Sequence, residues 1–263
     1  MDMKMFYAID GEKPLDNLVT DGGFCGIFRT IGCIGDSLSS GEFETKDEEG
    51  RQGFHDMYEY SWGQYMARAI GSKVYNFSRG GMTAKEFCET FAAKCGVYED
   101  ENLCQAYIIA LGVNDLSRGD EIGDIEKINT IQGRAAGDFS ILAYYSQIIK
   151  VLKSKQPDAK IFLMTIPYSD ASADERKKRE DEFCDGIRKI ADSNKNCYVI
   201  DLRKYGPVHD QKFRDTFRLG HLTPTGYMLT AKLVMSYIDY IIRNNPEDFN
   251  QVAFIGTGRK YIK

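Results

Sequence analysis

Apolar positions fall into two patterns that alternate along the chain. Residues 28–34, 73–77, 106–111, 160–166 and 197–202 form short runs dominated by apolar residues, the mark of strands covered on both faces. Between them lie stretches with apolar residues three and four apart, the spacing of a helix with one buried stripe. Residues 58–70 carry Tyr58, Trp62, Tyr65, Met66 and Ala69 and close at Gly71. A second helix is expected over 83–95, before Gly96, and a third over 137–155, before Pro157. Over 173–193 the apolar stripe (Phe183, Ile187, Ile190) is narrow, so that helix is expected at the surface. Thr223 and Pro224 suit the N-cap and first turn of a last helix reaching about Arg243. Strands alternating with helices predict a parallel sheet, and no Pro-, Gly- or Ser-rich linker divides the chain. The expected fold class is α/β, in one domain over 28–243. Residues 1–27 read as an extended or hairpin N-terminal extension packed on it, turning at Asp10-Gly11. Residues 244–263 read as a C-terminal extension with a final strand around Val252-Ala253-Phe254-Ile255.

At 263 residues, 43% hydrophobic and 28% charged, the chain can bury a sizeable core. A net charge of −5 argues against nucleic acid as a partner, because phosphates need clustered Lys and Arg. No apolar run approaches the roughly 18–20 residues of a membrane helix, so no membrane partner is expected. The polar start and seven cysteines, an odd number, lead us to expect a cytoplasmic protein with reduced thiols; a signal removed before residue 1 would leave no trace. There is no Cys-x-x-Cys pair and no His at zinc-ligand spacing from a Cys, so neither metal nor cofactor is expected. Cys33 as a nucleophile would lack a neighbouring His.

Three of the predicted strands end in small polar clusters: Gly35-Asp36-Ser37-Leu38, Asn76-Phe77-Ser78-Arg79-Gly80-Gly81 and Gly112-Val113-Asn114-Asp115. In open parallel sheets ligands bind outside these carboxyl ends. Ser37 supplies a hydroxyl, Asn114 an amide, and Gly81 a backbone N–H that no side chain obstructs. A serine needs a base and oxyanion donors before it becomes a nucleophile. Of the three histidines, His55 lies in an acidic loop and His209 in a turn-like stretch. His221 lies two residues before the Thr223 cap of the last helix.

Ile34-Gly35-Asp36-Ser37-Leu38, Asn76 to Thr83, Ala110 to Asp115 and Gly220 to Tyr227 closely resemble, in order, the four blocks of the SGNH hydrolases, also called GDSL lipases or acylhydrolases. The resemblance covers about residues 28–243. It implies a flavodoxin-like three-layer α/β/α sandwich with a central parallel five-stranded sheet. It further implies Ser37 as nucleophile, His221 as general base, and an oxyanion hole of Ser37 N–H, Gly81 N–H and the Asn114 side chain. One position departs from the family: three residues before the histidine, where an Asp usually orients the imidazole, stands Arg218. Asp215 or the Arg218 backbone carbonyl would then hold His221, with Asp210 and Asp36 as remoter choices. Asp36 and Asp115 suit loop bracing better than chemistry.

The expected function is ester hydrolysis through an acyl-enzyme, on a small-molecule or carbohydrate ester with a short acyl group such as acetyl. Loops 39–57, 116–136 and 167–174 would line the pocket; the first is acidic, and none offers a long apolar wall. Phe43, Tyr168 and Phe217 are the candidates for stacking on a sugar. The alternatives are a lipase, lysophospholipase or thioesterase of the same family, an O-acyltransferase, and a catalytically silent binding domain. Nothing in the sequence fixes the oligomeric state, although both extensions are candidates for subunit contact.

Overall fold

A computed structural model of the chain describes residues 3–128 and 132–262. Five parallel strands form the central sheet: β1 (Thr30–Gly35), β4 (Lys73–Ser78), β5 (Ala106–Ala110), β6 (Lys160–Met164) and β7 (Cys197–Ile200). Their spatial order is β4-β1-β5-β6-β7. Each side of these strands is apolar because both faces are covered. Ile34, Phe77, Tyr107, Ile109, Ile161 and Leu163 point into one core, under the helices spanning 84–95, 141–155 and 174–192. Ile31, Cys33, Val74, Ile108, Phe162 and Ile200 alternate with them into a second core, beneath Trp62–Ile70 and Pro224–Asn244. The result is the expected three-layer sandwich. The strand order reverses direction next to β1, so β1 and β5 diverge into helices on opposite faces and leave a crevice at their carboxyl ends. Ser37 follows β1 and Asn114 follows β5, so the fold itself brings the two together.

Several expectations need correction. The helix expected over 83–95 is interrupted by a π-helical turn, Phe87–Phe91, between Ala84–Glu86 and Ala92–Cys95. The supposed C-terminal strand is helical: Pro246–Phe249 is followed by a 3-10 turn at Val252–Phe254. Its apolar residues Phe249, Val252 and Ile255 recur every third position and all pack on the second core, a helical period rather than an alternation. The N-terminal extension is likewise not a hairpin; it begins with a 3-10 turn, Met3–Phe6, and is laid against the last long helix. Arg243 ties it down by ion pairs to Glu12 at 2.6 Å and to Asp239 at 2.7 Å, and Val19 N–H and Phe24 N–H donate to Ser236 and Asp239.

The acidic segment expected as a loop is a two-stranded antiparallel ribbon, β2 (Glu42–Lys46) with β3 (Gln52–Asp56). It leaves the domain at Gly41, where φ is +83° and a Cβ would stand 2.9 Å from the Met57 carbonyl oxygen. A much smaller ribbon, β8 (Arg218–Leu219) with β9 (His221–Leu222), turns at Gly220. No described helix is long and apolar enough to cross a membrane. All seven cysteines are free thiols, and burial lifts Cys33 well above the usual thiol range, which removes it as a nucleophile.

Candidate active site

Ser37 is the first residue of a one-turn helix, Ser37–Ser40, capped by Asp36, whose carboxylate accepts from Leu38 N–H at 3.0 Å. Burial raises the Asp36 carboxyl to about 7, and that backbone N–H offsets some of the rise. Asp115 has a similar role in a neighbouring loop: it accepts from Ala84 N–H at 2.9 Å, and burial raises it to about 6. Both acids brace loops, as expected. Gly35 must be glycine, since a Cβ there would lie 2.2 Å from Ser39 Oγ.

Ser37 Oγ lies 3.0 Å from His221 Nε2. The opposite ring nitrogen, Nδ1, lies 2.6 Å from Oε1 of Glu44, on β2. Neither of the expected partners is there. Asp215 accepts instead from Gln211 Nε2 at 2.6 Å. Arg218 is paired with Leu222 in the small ribbon, and its guanidinium folds back to donate to the Gly220 carbonyl at 3.0 and 3.2 Å. Asp36 and Asp210 are occupied in capping. A carboxylate can only accept, so a hydrogen on Nδ1 points to Glu44 and leaves Nε2 to accept the Ser37 proton. Glu44 is itself held, Oε2 accepting from Gln52 Nε2 at 2.7 Å.

Gly220 makes room for this arrangement. Its φ is +71°, and a Cβ there would fall 2.0 Å from the Glu44 carboxyl carbon. We predict that Gly220→Ala displaces Glu44 and strains the turn, lowering kcat about 10²-fold or more without unfolding the domain; kcat within threefold of the parent would contradict this.

A second carboxylate approaches the same imidazole: Glu42 Oε1 is 3.2 Å from Nε2. Burial raises its pKa, the imidazole pulls the other way, and Asp56 and Glu44 raise it further. The hydroxyl of buried Tyr227 pins the ribbon by donating to the Glu42 carbonyl at 2.7 Å, and it lies 3.4 Å from the Ser37 carbonyl. On the other side of Ser37, Asn114 Nδ2 lies 3.4 Å from Asp36 Oδ2 and 3.1 Å from the Met82 carbonyl. Gly81 has a φ of +69°, and its carbonyl is fixed by Arg118 at 2.9 Å, which in turn pairs with Glu86.

The other two histidines lie elsewhere. His55 faces Thr45 on the far side of the ribbon, and His209 is stacked on Phe213, with burial lowering it to about 4. The three expected stacking residues are spoken for. Phe43 packs edge-on to Tyr60 and Tyr227, Tyr168 lies under Arg203, and Phe217 leans on Phe213. Side chains alternate along a strand, so Phe43 points to the core for the same reason that Glu42 and Glu44 point to His221. The aromatic ring beside the histidine is Phe54, across the ribbon from Glu44 and edge-on to the imidazole at 6.2 Å between centroids. A cavity of about 210 Å³ is walled by Leu38 and Leu222, the chain neighbours of Ser37 and His221, together with Val113, Ile166 and Phe213. Of loop 116–136, residues 129–131 lie outside the described residues.

The profile of the GDSL-like Lipase/Acylhydrolase family matches residues 33–229. No curated protein matches the sequence. Among solved structures, the chain is similar to a family two carbohydrate esterase from Clostridium thermocellum solved with cellohexaose, at TM-score 0.58 and 16% identity, over 84% of this chain and 65% of that one. This chain thus spans just under two thirds of that enzyme. It is also similar to the acetyl xylan esterase AlAXEase (TM-score 0.53, 18% identity, 80% and 99% covered). A Lactobacillus plantarum protein gives a TM-score of 0.58 at 13% identity, with 81% and 97% covered. At such identities these likenesses speak to the fold, while the profile spans most of the chain. With its four blocks in order on a flavodoxin-like sheet, the chain belongs to the GDSL-like lipase/acylhydrolase family, the SGNH hydrolases.

Proposed function

We propose that this protein is a serine ester hydrolase working through an acyl-enzyme, on a short-chain acyl ester of a hydroxyl-rich alcohol, with Ser37, His221 and Glu44 as its triad. The observation that carries the proposal is the continuous line from Ser37 Oγ through both ring nitrogens to Glu44, at 3.0 and 2.6 Å. In this reading Ser37 Oγ bonds to the ester carbonyl carbon while its proton passes to Nε2. The oxyanion is met by Ser37 N–H, Gly81 N–H and the Asn114 amide. Collapse of the intermediate breaks the bond to the alcohol, and Nε2 returns its proton to the departing oxygen. A water then attacks the acyl-enzyme by the same route, releasing the acid and restoring Ser37. Glu44 fixes the imidazole tautomer and stabilises its charged form.

Support for a short acyl group comes from the cavity walled by Leu38 and Leu222, whose 210 Å³ is below the roughly 300–1,000 Å³ of sites for larger ligands. The carbohydrate esterases among the similar folds favour a sugar as the alcohol. An acyl series of aryl esters tests the reading. Acetyl to butanoyl esters should be turned over at least about tenfold better, in kcat/KM, than decanoyl. A decanoyl optimum would favour the lipase alternative, and acyl-polyol products formed in the presence of glycerol would favour a transferase.

A further inference from the structure

We infer that the β2–β3 ribbon forms the leaving-group subsite, in which Phe54 stacks on the apolar face of a sugar ring and Glu42 accepts hydrogen bonds from its hydroxyls. The inference rests on the esterase reading and names where the alcohol half of the substrate sits. Its starting point is register. Glu42 lies opposite Asp56 and Glu44 opposite Phe54, so period-two geometry puts these four side chains on one face of the ribbon. That face is turned to His221, as the contacts of Glu42, Glu44 and Phe54 with the imidazole establish.

Glu44 has a hydrogen-bond partner on each carboxylate oxygen, whereas Glu42 does not. Its carboxylate has the imidazole 3.2 Å away, and no other side chain among the described residues donates to it. Yet its side chain is only 14% exposed. A carboxylate offers about four acceptor positions, so Glu42 retains the capacity to accept from a ligand. The opposite wall is kept bare for it: a Cβ on Gly80 would stand 2.1 Å from Glu42 Oε2. The nitrogen it approaches, Nε2, is the one that protonates the departing alcohol oxygen. Acceptor capacity therefore sits a hydrogen bond away from where the leaving group is released.

Phe54 supplies the complementary half. It is 56% exposed, an apolar ring presented to solvent next to the catalytic imidazole. A sugar has hydroxyls around its rim and a patch of C–H on its face, so an aromatic plane and a carboxylate together match it. Neither feature would help an alkyl alcohol of the same size, which would bury Glu42 without satisfying it.

The test compares kcat/KM for two acetate esters of similar ring size, methyl 6-O-acetylglucoside and cyclohexylmethyl acetate, in the wild-type protein, Glu42→Ala and Phe54→Ala. The wild type should prefer the sugar ester, and each variant should lose about tenfold or more of that preference. Phe54 is exposed, so Phe54→Ala carries the test even if Glu42→Ala fails to fold. A preference unchanged within twofold in the folded variants, or absent in the wild type, overturns the subsite alone, provided aryl acetates are still hydrolysed. A wild type that neither hydrolyses aryl acetates nor labels with a fluorophosphonate overturns the esterase reading, and this one with it.

Discussion

Replacing Ser37 with Ala is expected to lower kcat for an aryl acetate by roughly 10⁶-fold, because the nucleophile and its base act as one unit. Labelling by a fluorophosphonate, read as an intact-mass increment, should vanish as well. The fold should survive. Ser37 Oγ contacts His221, and the substitution removes that one hydroxyl without opening a cavity of any size. A variant with activity within tenfold of the parent would show that some other group attacks the ester, and the silent-domain alternative would be supported if the parent itself failed to label.

The second large effect is expected at Glu44. Glu44→Ala should cost about 10³–10⁴-fold in kcat, since the imidazole loses the acceptor that sets its tautomer and stabilises its positive form. KM should change little, because Glu44 faces the histidine from the side away from Ser37. Asp215→Ala is the matched control: its carboxylate pairs with Gln211 on an exposed helix face, and kcat should stay within about twofold. The contrast decides between the two acids. If the Asp215 variant lost activity and the Glu44 variant kept it, the geometry at Nδ1 would have to rearrange in the working enzyme.

The sheet and four of the candidate site residues were legible because each is written locally. Apolar runs mark the strands, and Ser37, Gly81, Asn114 and His221 each stand at the end of one element. Glu44 was not legible for the opposite reason: it meets a partner 177 residues away, and no spacing along the chain encodes that contact. Arg218 in the usual Asp position directed attention to Asp215 or to its own backbone carbonyl, and the group found at Nδ1 is neither. What concealed Glu44 was composition. Glu42, Glu44, Asp47, Glu48 and Glu49 read as a solvated acidic loop, and glutamate is a weak strand former. The alternation of Glu42-Phe43-Glu44-Thr45 was the available signal, together with the Glu49-Gly50 turn. Its apolar side, Phe43, faces the core in the usual sense, while its charged side faces His221 instead of open solvent. Phe43 therefore packs on Tyr227, and the ring on the histidine's side of the ribbon is Phe54. The C-terminal strand failed through period: four apolar residues in a row masked a three-residue repeat.

The ribbon leaves the body of the domain through Gly41 and is pinned to it by Tyr227. On the esterase reading it carries both the acid that readies the histidine and the surface that receives the alcohol. Turnover and alcohol preference are then inherited as a package: any insertion or substitution that re-aims residues 42–56 shifts both at once. The walls of the apolar cavity come mostly from other elements, including Val113, Ile166 and Phe213, so preference for the acid half can drift independently. Relatives that exchange this ribbon should differ abruptly in the alcohols they release, while differing only gradually in the acids.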